Sequence, residues 1–497
     1  MGEVNRNVFE PDFNRSIKVE ATDQRLTSNA GVLLLREADQ RLQLISSIAE
    51  EMCDPREPGR IRYSLAELIR ERVYTMSLGF SAQDDVDLLC HDPAFRMAVW
   101  DRRGDQVVQE RLASQPTQSR LLRTLTSNTE NLRALQRGLG DSIRRHVLSS
   151  QNRVVRHATI DIDSFPIEVH GEQKGAAYNG HYRRTIYHPL TASFCVGGDY
   201  DSTREGLRLG NGFIHAMLRQ GQVHTADGMV RFLDHTHQQA LRMARHVDYR
   251  LDAGYTIGAV LDRMTEMNRR FVGRLKSNAV LDRMAEPHLK RPPGRPPAEG
   301  YEKVVELGKY QAETWQYAQR VILVVIDEPD AETGQLALFP RYFFLVTNWR
   351  EQQRSGSELL EHYRRRGTFE DRLGEFNQTI GVHLSSPSFK ENEATFFLAL
   401  LAYNLTSICR NELEDAVGGC WDLRRFQQFV LRVGGLCIKN SRRLIMRIAQ
   451  SAEPLWSRLA RCLQDWALPA ELTRRLNRHV GFTPPPPHAH LQAVLRS

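Results

Sequence analysis

The chain changes its hydrophobic period near residue 157, and that change limits what it can fold into. Before it, apolar residues recur every three or four positions. In "LREADQRLQLISSIAEEM" they are Leu42, Ile45, Ile48, Ala49 and Met52, the stripe of an amphipathic helix. "SLAELIRERVYTMSLGF" repeats the pattern as far as Gly79, and a third helix is expected from Arg120 to Arg145. After the change, "HATIDID" alternates apolar and polar residues and reads as a strand. "RTIYHPLTASFCV" and "GFIHAML" supply two more strands, and "ADGMVRFLDHTHQQALRMARH" reads as a helix. "VDYRLDAGY" is a fourth strand, "YTIGAVLDRMTEM" a helix and "RFVGRLKS" again extended. Strands alternating with helices indicate an α/β domain.

Two further breaks divide the 497 residues. "PHLKRPPGRPPAEGYEK" interrupts the rhythm with prolines that preclude regular structure. "QRVILVVIDEP" and "FPRYFFLVTNW" then read as strong strands, so 286–345 is expected to be a β-rich insertion. The helix "ATFFLALLAYNLTSICRNEL" and a mainly helical C-terminal part close the chain. The expected units are therefore 1–150, 151–285, 286–345, 346–410 and 411–497.

The charge balance narrows the partners. Formal net charge is +7, and lysine fills only eight of the 67 basic positions. Arginine is the better bidentate partner for phosphate, although a GC-rich genome would give the same bias. Arg120, Arg123, Arg133, Arg137, Arg144 and Arg145 share one expected helix and suit contact with DNA as a set. Seven cysteines without a CxxC spacing, and no apolar leader in "MGEVNRNVFEPDF", indicate a reduced, cytoplasmic protein. No run approaches the roughly 18 apolar residues of a membrane helix, so no membrane partner is expected.

Position singles out a few of the carboxylates. Asp161 and Asp163 lie two apart on the "ATIDIDSF" strand and so share a face. Paired acids on a buried strand are costly unless a cation compensates them; a strand end meeting solvent would explain them as well. Asp252 ends the fourth strand and enters a strand-to-helix loop, where α/β sheets present functional groups. In "HYRRRGTFEDRLGEFN", Tyr363, Arg366, Glu370 and Asn377 fall within roughly 60° on one helical face at about 100° per residue. Gly367 is the weak point of that helix, at about 1 kcal/mol relative to alanine.

"DIDSF", "VHGEQKGAAYNGHYRRTIYHPL", "RLDAGY" and "YRRRGTFE", with "SNAGVLLLREADQRL" and "LLAYNL", occur in order between about 28 and 410. In these motifs the chain resembles bacterial insertion-sequence DDE transposases carrying a Tyr-x-x-Arg-x-x-x-Glu signature, the insertion-sequence-thirteen-eighty group. The resemblance implies an RNase H-like catalytic core (151–285 and 346–410), interrupted by the β-rich insertion and flanked by a helical DNA-binding domain and a helical C-terminal domain. It assigns Asp163, with Asp161 as alternative, Asp252 and Glu370 as catalytic metal ligands. It also assigns Tyr363 and Arg366 as contacts to DNA phosphate. Asn377 stands where the family usually has a lysine, which leaves one phosphate contact without its residue. The implied chemistry is DNA cleavage and joining of 3′-hydroxyl ends at two Mg²⁺ ions, with Mn²⁺ as a substitute. Implied partners are double-stranded DNA with terminal inverted repeats and target DNA, bound by a homodimer on paired ends near the nucleoid.

Other signals are weaker. Tyr182, Arg183 and Arg184 are expected near the site and in contact with DNA. Arg295, in "KRPPGRPP", resembles the core of a minor-groove hook, or belongs to a plain linker. His170, His181 and His188 lack the carboxylate or cysteine spacing of a zinc site. Trp349 is expected in the core rather than stacked on a base. Two other functions remain open: a transposase-derived DNA-binding protein without catalysis, and a nuclease of the same fold that cleaves without joining.

Overall fold

The structure, a computed structural model, describes residues 9–102, 104–196, 211–291, 300–329, 339–441 and 443–478. Its centre is an eight-stranded mixed sheet: β1 (Val155–Ser164), β2 (Leu190–Val196), β3 (Gly212–Met217), β4 (Ala244–Leu251), β5 (Arg270–Leu275), β6 (Tyr301–Tyr310), β7 (Gln319–Asp327) and β8 (Arg341–Thr347). In space the order is β6-β7-β8-β5-β4-β1-β2-β3. β1 runs antiparallel to β2 and parallel to β4, which is parallel to β5. Strand β1 is thus internal and buried for most of its length, and its C-terminal end carries Asp163.

The expected β-rich segment supplies strands, but they continue the central sheet. β8 pairs with β5 through Phe344↔Leu275 and Thr347↔Val272, and β7 and β6 follow antiparallel. The sheet therefore runs unbroken across the expected boundary at 286. Backbone groups on the open side of β5 need partners, and β8 provides them.

Helices α1 (Leu65–Ser77) and α2 (Thr129–Gln151) lie before the sheet in sequence. α3 (Met229–Leu241) and α4 (Gly258–Glu266) link the parallel strands. α5 (Gly356–Arg364) and α6 (Gly367–Thr379) follow β8, and α7 (Phe389–Val417) comes next. α7 is buried on nearly all sides, including Phe396, Leu400, Tyr403 and Ile408. Its Asn404 accepts from Phe213 N at 2.9 Å and donates to Phe213 O at 2.7 Å, pairing with the outer backbone of edge strand β3 as another strand would. The largest apolar cluster runs from Val32 to Trp466, so the expected units share a core, and a smaller one of Val272, Ile322, Val324, Leu345, Leu359 and Leu360 packs α5 on the sheet.

The C-terminal part is not wholly helical. Gly435–Asn440 and Arg443–Ile448 form a hairpin, and Leu26–Thr27 adds to it through Leu26↔Leu436. "GLCIKN" and "RLIMRI" have strand alternation around a turn at Ser441, whose φ is +56°. Among the described residues no helix is long and apolar enough to cross a membrane.

Candidate active site

Asp163, Asp252, Glu370 and Arg366 meet at the C-terminal ends of β1 and β4. Asp163 Oδ1 accepts from Ser164 N at 2.8 Å, and its Oδ2 accepts from Arg366 Nη2 at 2.6 Å. Arg366 Nη1 pairs with Glu370 Oε1. One buried guanidinium thus spans two carboxylates that are 207 positions apart in the sequence. Asp252 is half-buried in the turn after β4, where its carbonyl accepts from Tyr255 N at 3.0 Å.

The charges of these groups act on one another. Burial pushes the Asp163 carboxyl up; Arg366 and the Ser164 N–H oppose this, while Asp252 and Glu370 add to it. Burial works against the Arg366 charge, but Asp163, Tyr363, Asp252 and Asp161 together raise its pKa. Tyr363 is half-buried and pushed up to about 12 by burial first, with Arg366 opposing and Asp252 adding to the shift.

Asp161 is placed differently. Arg250 Nε and Nη2 grip its two oxygens at 2.7 and 2.5 Å, and both side chains are fully buried. Asp161 and Arg250 are register partners across β1 and β4, so the pair is built by strand pairing. Arg250 Nη1 also donates to His362 O at 3.2 Å, pinning α5 against the sheet. Both Asp161 oxygens are thus engaged by Arg250, whereas Asp163 faces Arg366 at the strand end.

The expected single helix from Tyr363 to Asn377 is broken. α5 ends at Arg364 and α6 starts at Gly367, with 3₁₀-like bonds between them: Arg366 N to Tyr363 O at 2.9 Å and Phe369 N to Arg366 O at 2.9 Å. The tighter turn shifts the 100° spacing, and it is here that Arg366 reaches from α6 to β1. A capping box at Ser355 and Glu358 starts α5; the Glu358 carboxylate accepts from Ser355 N at 2.7 Å. The far end of the assembly is tied by Asp248 on β4, facing His362 at 3.3 Å and accepting from Thr159 Oγ1 at 2.6 Å. Although burial pushes Asp248 up, His362, His157 and Thr159 hold it down at about 2. Arg364 pairs with Glu302, and Arg365 with Glu361 at 3.0 Å, so neither joins the acids.

Tyr182 sits beside this group. It is raised by burial first, then by the charge of Asp163, while Arg219 opposes. Arg183 and Arg184 are exposed next to it, and Arg184 pairs with Glu168 at 2.8 Å. Asn377 is exposed on α6. Arg295 lies outside the described residues. Trp349 is half-buried between Arg270 and Arg354, whose guanidinium carbons lie 5.5 and 4.7 Å from its ring centre.

Sequence reasoning missed Tyr255, whose hydroxyl donates to Ser164 Oγ at 2.9 Å, and the buried pair His188 and Arg219. Tyr255 belongs to the same "RLDAGY" motif as Asp252, which was its only sequence signal. Among the described residues no three His, Cys, Asp or Glu side chains converge tightly enough to hold an ion. The donors are of the type a hard dication takes: the carboxylates of Asp163 and Glu370 share one guanidinium, and Asp252 stands in the turn after the neighbouring strand.

The described fold can be compared with known proteins. A search of curated proteins gave no match. Among solved structures, the chain is similar to a piggyBac transposase in a synaptic complex with hairpin DNA, at 12% identity and a TM-score of 0.43, covering 92% of this chain and 86% of that one. A likeness at that level implies neither activity nor partner. The family described as "Transposase DDE domain group 1" matches residues 9–467, and the chain belongs to that family of DDE transposases.

Proposed function

We propose that this transposase cuts DNA at the ends of its own element and joins the freed 3′-hydroxyl ends to target DNA, in an RNase H-like site built from Asp163, Asp252 and Glu370. The observation that carries the reading is the bridge of Arg366 between Asp163 and Glu370, at the end of β1 and beside the turn after β4 that holds Asp252. The first acid ends the first strand of the central sheet, the second directly follows its fourth strand, and the third lies on a later helix, the order the family resemblance implies.

Asp163, Asp252 and Glu370 would hold divalent ions, Mg²⁺ or Mn²⁺. When bound, such ions activate the attacking oxygen of water or a 3′-hydroxyl and stabilise the leaving oxygen. A dication there would offset the mutual repulsion of Asp163, Asp252 and Glu370. Arg366, which spans Asp163 and Glu370, is the residue placed to donate in-plane to a phosphate oxygen. Tyr363 keeps its proton at neutral pH and donates a hydrogen bond to the same backbone. Tyr182 and Arg183 extend the contact to neighbouring DNA. The partner would be a duplex with terminal inverted repeats, held by a homodimer on paired ends.

The test is strand cleavage of a labelled duplex carrying the element's ends, with Mg²⁺ or with EDTA, by wild type and Glu370→Gln. Nicking at the element boundary that needs Mg²⁺ and falls at least a hundredfold in the variant is expected, together with joined product. Cleavage without joining would select the nuclease reading. Binding without cleavage would leave only a DNA-binding role.

A further inference from the structure

We infer that His188 and Arg219 form a second phosphate-binding recess beside Asp163, covered by Tyr182, which takes a phosphodiester of the DNA strand next to the one attacked. This rests on the proposed DNA substrate and supplies the contact that Asn377 cannot make.

The two residues face each other where β2 and β3 begin and end. His188 N donates to Arg219 O at 3.1 Å, and Arg219 Nε donates back to His188 O at 2.9 Å. Arg219 Nη1 is fixed by the carbonyls of Thr225 at 2.9 Å and Asp227 at 3.1 Å. Its Nη2 is buried with no hydrogen-bond partner among the described residues, and the buried His188 ring beside it faces the Val223 backbone and has no side-chain partner there. Arg219 is 5% exposed and His188 4%. A guanidinium held only by carbonyls, with one donor edge unused, is a costly arrangement. The His188 imidazole can bond the Val223 backbone through only one nitrogen, which leaves the other for a further partner. Each such group calls for an acceptor that is not part of the chain, and a phosphate offers several.

The recess is joined to the proposed active site. Tyr182 stacks edge-on against His188 at 5.7 Å and feels the charges of both Asp163 and Arg219. Tyr255 feels the same two charges from the other side, and its hydroxyl reaches Ser164. Phosphates along one strand of DNA therefore have two adjacent places to dock.

The cover is held by its base and strained at its tip. Asn179 Nδ2 donates to Gly221 O at 2.8 Å, and Asn179 Oδ1 accepts from His181 N at 3.0 Å. A Cβ at Gly221 would lie 2.1 Å from Ile186 O, so the loop and the strand after Arg219 are packed backbone to backbone. Arg183, directly after Tyr182, has φ +55°, a left-handed conformation that a non-glycine residue adopts at a cost. Moving the half-buried Tyr182 ring aside exposes the donors without unpacking the base, and frees the ring to stack on a base.

The experiment pairs two variants. His188→Phe keeps a ring of similar shape and deletes both ring nitrogens, including the one facing the Val223 backbone, so a purely structural histidine predicts a lower Tm with unchanged KM and kcat. The recess predicts, whatever the change in Tm, KM for the labelled duplex raised about tenfold and kcat within twofold. KM within twofold of wild type overturns the inference. Should His188→Phe fail to fold, Tyr182→Ala carries the test through a separate readout. Inorganic phosphate in the tens of millimolar should raise the Tm of Tyr182→Ala by several degrees more than that of wild type, and equal shifts overturn the inference. If wild type neither binds nor cuts the duplex in Mg²⁺, the DNA reading fails and this recess falls with it; wild type that cuts while His188→Phe is unaffected removes the recess alone.

Discussion

Two aspartates two positions apart on β1 have opposite surroundings, and the difference lies in their partners on β4 and α6. Asp161 meets Arg250 as its register partner and is sealed with it. Asp163 lies one pair nearer the strand end, beyond Leu251, where β4 gives way to the turn holding Asp252. Removing one member of a buried ion pair strands the other, so Asp161→Asn should lose about 3–5 kcal/mol of stability with or without Mg²⁺. Asp163→Asn should behave differently: adding Mg²⁺ should stabilise wild type by about 2.7 kcal/mol at a hundredfold excess over the dissociation constant, seen as a higher Tm, and should not stabilise the variant. Thermal melts of the three proteins with Mg²⁺ and with EDTA check this. An Mg²⁺ response kept by Asp163→Asn and lost by Asp161→Asn would exchange their roles.

Elements set the geometry that those residues exploit. Asn404 of α7 closes the hydrogen bonds of edge strand β3 at Phe213 and also donates to Ser142 Oγ on α2 at 2.9 Å. Asn404→Leu leaves a buried N–H and C=O unpaired at once, and the expected loss is about 2–4 kcal/mol by urea melts. A loss under 0.5 kcal/mol would mean that β3 does not depend on α7. The sequence made these elements legible where local period sufficed: the strands that became β1 to β5, the apolar β7 and β8, and the long helix around "LLAYNL". It hid what depends on a distant partner. The charged edge strand β6, "YEKVVELGKY", is largely exposed and gives little apolar signal; its register comes from β7. The break before Gly367 follows from the reach of Arg366 to Asp163, a contact across 203 positions. Asp163, Asp252 and Glu370 could be singled out because each stands at the end of a readable element or in a motif. His188 and Arg219 could not, since nothing local marks an unused hydrogen-bond donor.

At the scale of the molecule, the central sheet joins the segments expected as 151–285 and 286–345, and the largest apolar cluster draws residues from all five expected units. Composition shifts such as the proline run near 292 marked changes of texture, but pairing of β5 with β8 carries the sheet past them. The acids consequently sit on a single framework: Asp163 on β1, Asp252 in the turn after the neighbouring β4, and Glu370 on a helix tied to Asp163 by Arg366, with α5 held through Arg250 and Asp248. The proposed three-acid site rests on that framework. The most direct measurement of this claim compares wild type and Asp252→Ala for cleavage and for binding of the same labelled duplex. The three-acid site predicts that cleavage in Mg²⁺ falls at least a thousandfold while the dissociation constant for the duplex, measured in EDTA, stays within twofold. Cleavage at the wild-type rate by Asp252→Ala would contradict it.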